Sequence, residues 1–376
     1  QNTVTIFPTT GTISSIVRFD TVNGNLIVPQ RTFGGDLEAY GNTANIRSVT
    51  LGTAGSQTIT VSGNLKVITG ASQSQVLTLA GATNNPTVNV TGNISYTKGS
   101  SATPAITSGT GIWTIAGSAD FTNGTYTAAS GNTLTMNGTS KTLTSASQSL
   151  YNFTVSGGSI SNGDATAITN DLSVTGGTLS GTSNITVNGN ATGTAGVVNL
   201  TGGTFEQRVS AAKNFGPTTA STSWTFSTLT FSNSHASTGV TITAQSCSTC
   251  GVTVTTALNI GKNTDAAGAT TTLAAGDKTW TLSGSGTSVM VLATGPAAVF
   301  TASTSTVNYT GSSATTTAAV TYNNLGVGTT SDTGTGVTYT LGGNTTVSGT
   351  LTVGNAGSTN TDTLAGSSYT LTLSGA

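Results

Sequence analysis

Side chains that could ionise, ligate a metal or attack a substrate are thinly spread: one His, two Cys and 11 acids in 376 residues. The cysteines form Cys247-Ser248-Thr249-Cys250. A redox CxxC needs a helix terminus in a βαβ unit to stabilise its thiolate. Here the flanks, Ala244-Gln245-Ser246 and Gly251-Val252-Thr253, read as strand, turn and strand, so a small structural disulfide is expected. Two Cys and one His cannot complete a four-ligand zinc site. Hydrolysis of a sugar polymer wants two carboxylates about 5 to 9.5 Å apart. Asp120, Asp164, Asp171, Asp265, Asp277, Asp332 and Asp362 instead lie singly beside Asn, Gly or Thr, where they read as hydrogen-bonding turn residues. Only the stacking of neighbouring segments could bring two of them together. No EF-hand loop or calcium-binding nonapeptide is present. His235 stands in a polar loop, Phe231-Ser-Asn-Ser-His235-Ala-Ser, without a partner motif. No catalytic, cofactor-binding or metal-ligating residue is therefore assigned, and an enzyme is not expected.

Two further patterns have a binding reading. Trp113, Trp224 and Trp280 alternate with polar residues, as single large core residues on strands do; the other reading is a sugar-stacking platform. Thr-apolar-Thr triplets recur at Thr58-Ile-Thr60, Thr133-Leu-Thr135, Thr142-Leu-Thr144, Thr241-Ile-Thr243, Thr253-Val-Thr255, Thr350-Leu-Thr352 and Thr370-Leu-Thr372. Stacked in register they would order water, as in ice-binding solenoids. The irregular repeat length argues against one flat array, and threonine is in any case a good exposed strand residue.

The elements that must position these residues are strands. With two Glu, six Lys, four Arg and two Met, the straight-chain helix formers are nearly missing, while Thr and Val favour β structure. Charged residues make up 6% of the chain, against about 25% in an ordinary domain. A net charge of -1 with ten scattered basic residues cannot neutralise a phosphate backbone, which excludes a nucleic-acid partner. No apolar run approaches the ~20 residues needed to span a bilayer as a helix.

One phrase recurs: apolar, any residue, apolar, then Ser/Thr/Asn and Gly. It appears at Ile59-Thr-Val61-Ser-Gly63, Val88-Asn-Val90-Thr-Gly92, Leu134-Thr-Met136-Asn-Gly138 and Phe153-Thr-Val155-Ser-Gly157. Further copies begin at Leu172, Ile185, Val198, Trp280, Val307 and Leu371. Each reads as a short strand closed by a glycine free to take positive φ. The intervals fit turns of about 19 to 29 residues, the 13-residue steps from Leu172 to Ile185 to Val198 adding to one turn, and such periods mark stacked repeats. An elongated all-β solenoid follows, in the form of a right-handed parallel β-helix. Tandem antiparallel β-sandwich modules are the rival, since Asn-Gly pairs at 23, 123, 137, 162 and 188 also suit hairpins.

Residues 1–50 hold six of the 21 charges and read as an N-terminal cap or an assembly segment. The remainder, 51–376, reads as the solenoid, with degenerate units near 51–133, 134–204, 205–303 and 304–376. The last stops in mid-phrase, so the native chain is expected to continue, and Gln1 suggests a processed or trimmed start. Ten Asn-x-Ser/Thr acceptors carry little weight in so Asn-, Ser- and Thr-rich a chain.

The phrases Leu150-Tyr-Asn-Phe-Thr-Val-Ser-Gly157, Thr321-Tyr-Asn-Asn-Leu-Gly-Val-Gly328 and Asn344-Thr-Thr-Val-Ser-Gly-Thr-Leu-Thr-Val-Gly354 resemble repeats of Gly/Ser/Thr-rich bacterial cell-surface proteins. These are adhesin-like or filament-forming, often of parallel β-helix type. The resemblance implies an extracellular or cell-surface structural role and carries over no catalytic residue. Two functions are expected from it: a filament or surface-layer subunit that self-assembles end to end by strand addition, or an adhesin stalk that binds glycans or a host surface.

Overall fold

The computed structural model describes residues 11–99, 101–219, 222–330, 336–354 and 361–375, and these contain forty strands and no helix. They build a parallel β-solenoid. Every registered pairing between named strands is parallel, and the one antiparallel contact is an isolated bridge between Thr294 and Ala297. The sandwich rival therefore fails at its hairpins. Asn123-Gly124, for example, closes a corner through Gly124 N–H to Phe121 O and leads into a parallel strand, Thr125–Ala128.

The chain divides into two compact units, Gln1–Thr169 and Asn170–Ala376. In the first, three ladders run side by side. One stacks Arg31–Phe33, Thr58–Val61, Thr87–Val90, Ile112–Ile115, Thr133–Met136 and the start of Asn152–Asn162. A second stacks Val17–Asp20, Leu37–Gly41, Leu65–Thr69, Ile94–Lys98, Ala119–Asp120 and Lys141–Thr144. The third stacks Leu26–Val28, Arg47–Leu51, Leu77–Ala80, Pro104–Gly109 and Thr125–Ala128. Period-two alternation turns every second side chain inward. On the first ladder Ile59, Val88, Trp113, Leu134 and Phe153 form one buried column, with Val61, Val90, Ile115, Met136 and Val155 beside it.

That column advances by 29, 25, 21 and 19 residues from Ile59 to Phe153, yet the register across it is unbroken. The connections absorb the irregular length. From Val17 onward, residues assigned by sequence to a cap already belong to these ladders; residues 1–10 of that segment lie outside the described residues.

The second unit repeats the design. Leu200, Phe226, Val254, Leu282, Tyr309, Val327 and Val353 form one column. Ile185, Phe205, Leu229, Leu258 and Met290 form another. Leu172, Ala191 and Phe215 begin a third. The phrases at Leu172, Ile185 and Val198 thus lie on three different ladders. The turn there is 19 residues, Leu179 pairing with Val198, so two 13-residue steps overshoot it.

The glycine that closes the phrase has a different cause from the one its sequence suggests. Gly63, Gly92 and Gly138 are not in the left-handed region. Instead they stack: a Cβ on Gly92 would fall on the carbonyl of Gly63, and one on Gly138 on the carbonyl of Ala116. Backbone meets backbone at this corner, and only hydrogen fits.

Candidate functional site

Every described carboxylate is already engaged. Asp120 accepts the Thr122 N–H and hydroxyl within its own turn, at 2.9 and 2.6 Å. Asp164 reaches to the previous turn, accepting Ser145 N–H and Oγ and Ala146 N–H. Asp171 accepts Asn190 N–H at 2.7 Å, Asp265 accepts Lys262 and Asn233 N–H, and Asp362 accepts Thr329 and Val337 N–H. Asp277 accepts Cys247 N–H at 2.6 Å and the Ser246 hydroxyl. Burial works to raise its pKa, but these bonds outweigh it and hold the carboxyl below its usual range. Asp332 lies outside the described residues. Stacking therefore brings carboxylates to backbone N–H groups and does not pair them with one another.

Among the described residues the largest cluster of charge is in the first unit, where Arg18, Glu38 and Lys66 occupy successive strands in register; the second unit has an ion pair between Lys262 and Glu206 at 2.6 Å. Arg18 pairs with Glu38 at 2.8 Å and sits over the Tyr40 ring; Lys66 pairs with Asp36 at 2.6 Å and Glu38 at 3.5 Å. For Asp36, burial again opposes ionisation, and Asn64 N–H with Lys66 prevails, lowering its pKa. Its partner rises, first through the hydrogen bond to Asp36.

Asp36 also begins a ladder that sequence reading missed. It accepts Asn64 N–H at 2.7 Å, Asn64 Oδ1 accepts Asn93 N–H at 2.9 Å, and Asn93 Oδ1 accepts Ser118 N–H at 2.8 Å. In the second unit Asp171, Asn190 and Asn214 do the same. The signal was present: the residue after the phrase glycine is Asn64, Asn93 or Asn190. Asn93, Asn190 and Asn344 head sequons, and the side-chain oxygen of each accepts a backbone N–H of the neighbouring turn.

All three tryptophans are fully buried, with their indole N–H groups on Ser108, Gly196 and Ala275 carbonyls, so none offers a face to a sugar. His235 accepts Ser237 and Thr238 N–H through Nδ1 and closes its own loop. Cys247 and Cys250 are joined by a disulfide. Beside that turn, Lys278 is fully buried with Nζ 2.5 Å from Pro217 O, and burial brings its pKa down to about 8 against the pull of Asp277. Sequence gave no sign of it, since one lysine after Asp277 looks like any polar turn.

Among the described residues no group of three or more His, Cys, Asp and Glu could hold a metal ion. Two shallow depressions, of about 310 and 300 Å³, are lined by amides and hydroxyls of the turn ladders, Asn190, Thr192 and Asn214 in one and Asn64, Asn93 and Ser95 in the other. No protein-family model, curated protein or solved structure matches the chain.

Proposed function

We propose that this protein is a structural, non-enzymatic component of the extracellular space or cell surface, a subunit of a filament or surface layer that adds strands end to end. The observation that carries the reading is where the polar groups go: carboxylates and turn amides tie one solenoid turn to the next. A disulfide suits an oxidising compartment. Strand addition suits a solenoid whose registered pairings are parallel, because each turn offers the next an open ladder of backbone N–H and C=O groups.

Negative-stain microscopy of the purified chain tests this. Fibres are expected, and a chain without residues 1–30 should give folded single particles. Wild-type protein that stays monodisperse at all concentrations defeats the filament reading. A second reading, an adhesin stalk, is favoured by the hydroxyl- and amide-lined depression around Asn190, Thr192 and Asn214. Monomeric rods retained on a glycan array would select it.

A further inference from the structure

Two of the Thr-apolar-Thr triplets of the first unit, Thr58-Ile-Thr60 and Thr133-Leu-Thr135, fall on one ladder despite the uneven turn lengths, while Thr142-Leu-Thr144 lies on another. On the outward side of the first ladder, Thr32, Thr60, Asn89, Thr114, Thr135 and Thr154 stand on six successive strands as direct neighbours. Beside them runs a second column, with Thr58 opposite Thr87 and Ile112 opposite Thr133, which in turn faces Asn152. Strand spacing of about 4.8 Å and a step of about 6.6 Å between alternate residues turn these columns into a two-dimensional lattice some 24 Å long.

Three properties of this lattice point to one ligand. The hydroxyls of Thr32, Thr58, Thr60, Thr87, Thr114, Thr135 and Thr154 have no protein partner, while the carboxylates and turn amides are spent on the fold. Neither column contains a charged residue, whose strongly held hydration shell would disturb ordered water. Behind the columns the buried side chains of Ile59, Val88, Trp113, Leu134 and Phe153 fix the positions of the strands. A rigid, neutral grid of hydroxyl and methyl groups at this regular spacing can anchor water in rows. We infer that this face of the first unit binds the surface of an ice crystal. A crystalline polysaccharide fits less well, because stacking on sugar rings wants exposed aromatic faces, and the aromatic residues of this ladder, Phe33, Trp113 and Phe153, point inward. The inference is independent of assembly.

The test grows ice slowly from a solution of the full chain and compares the protein caught in the ice with a non-binding protein of equal size. At least tenfold enrichment is expected, with faceting of crystals under the microscope. Thr114→Lys, at the centre of the lattice, should reduce enrichment to background with an unchanged far-ultraviolet circular dichroism spectrum. Thr78→Lys, on the third ladder, should leave it intact. If Thr114→Lys does not fold, Thr60→Tyr takes its place. Exclusion of the wild type from ice, equal capture of wild type and Thr114→Lys, or retention on insoluble chitin or cellulose without capture in ice would each overturn the inference.

Discussion

The two units solve one problem with different materials. In the first, the interior columns are mostly aliphatic, the aromatic contacts are few, with Phe121 stacked on Tyr126 at 4.5 Å, and ionic ties run across the outside through Arg18, Glu38, Lys66 and Asp36. In the second, Phe215 lies 4.8 to 6.1 Å from Trp224, Phe226, Phe231 and Trp280, Lys278 is inside, and the outside carries a single ion pair among the described residues, Lys262 with Glu206 at 2.6 Å. A solenoid needs only that each turn present the next with a matching inner surface and a satisfied backbone. Many small contacts or a few large ones meet that need equally. The difference is in where damage concentrates: a crowded ring cluster depends on each member, whereas an aliphatic column shares its losses.

The sharpest way to break the contrast is Trp224→Ala, which opens the ring cluster. Denaturant unfolding should show a loss of about 3–5 kcal/mol. Ile59→Val in the first unit should cost only about 0.5–1.5 kcal/mol by the same measurement. Equal losses would erase the distinction.

Next in size is the buried cation. The Lys278 pKa lies at about 8 in the folded chain, below its usual 10.5. Below pH 8 both folded and unfolded forms carry the proton, and the burial penalty is fully felt. Between about 8 and 10.5 the unfolded chain binds a proton that the folded chain does not, so stability rises with pH across that window and then levels off. The gain is on the order of 3 kcal/mol. Lys278→Met should flatten the profile, and a slope that survives the substitution would assign it to another group.

The external ties are the smallest. Asp36→Asn removes the partner of Lys66 and should cost about 1 kcal/mol, less at high salt. Because its pKa is lowered in the fold, the contribution of Asp36 is present above the usual carboxylate range and fades as pH falls through the folded value. An unchanged acid limb in Asp36→Asn would show that the ties outside the first unit matter less than the geometry suggests.

The solenoid itself was legible because inward positions repeat a simple alternation, as at Ile59, Val61, Val88 and Val90. Counting the phrase by its glycine was less reliable. Trp113-Thr-Ile115-Ala-Gly117 occupies the same ladder but has Ala at the fourth place, and Trp224-Thr-Phe226 has no glycine, so the phrase passes over both turns. The Thr lattice is hidden in the sequence for a related reason: spacing along the chain includes the connections, while register between strands does not. The Asn ladder could have been read from Gly63-Asn64, Gly92-Asn93 and Gly189-Asn190. Lys278 could not, since its burial depends on Gly216 and Pro217, two turns away along the chain.

The uneven turn length also bears on how such a chain can change over generations. Lengthening a corner costs little, because closure entropy grows only slowly with loop size, by about 0.6 kcal/mol per doubling. Inserting one residue inside Thr87–Val90 would reverse every side chain beyond it, placing Val90 in water and Asn89 in the core. Length variation is therefore confined to the corners, such as the stretch between Leu51 and Thr58, exposed from Thr53 to Ser56, where new sequence could be carried outside the ladders without disturbing them.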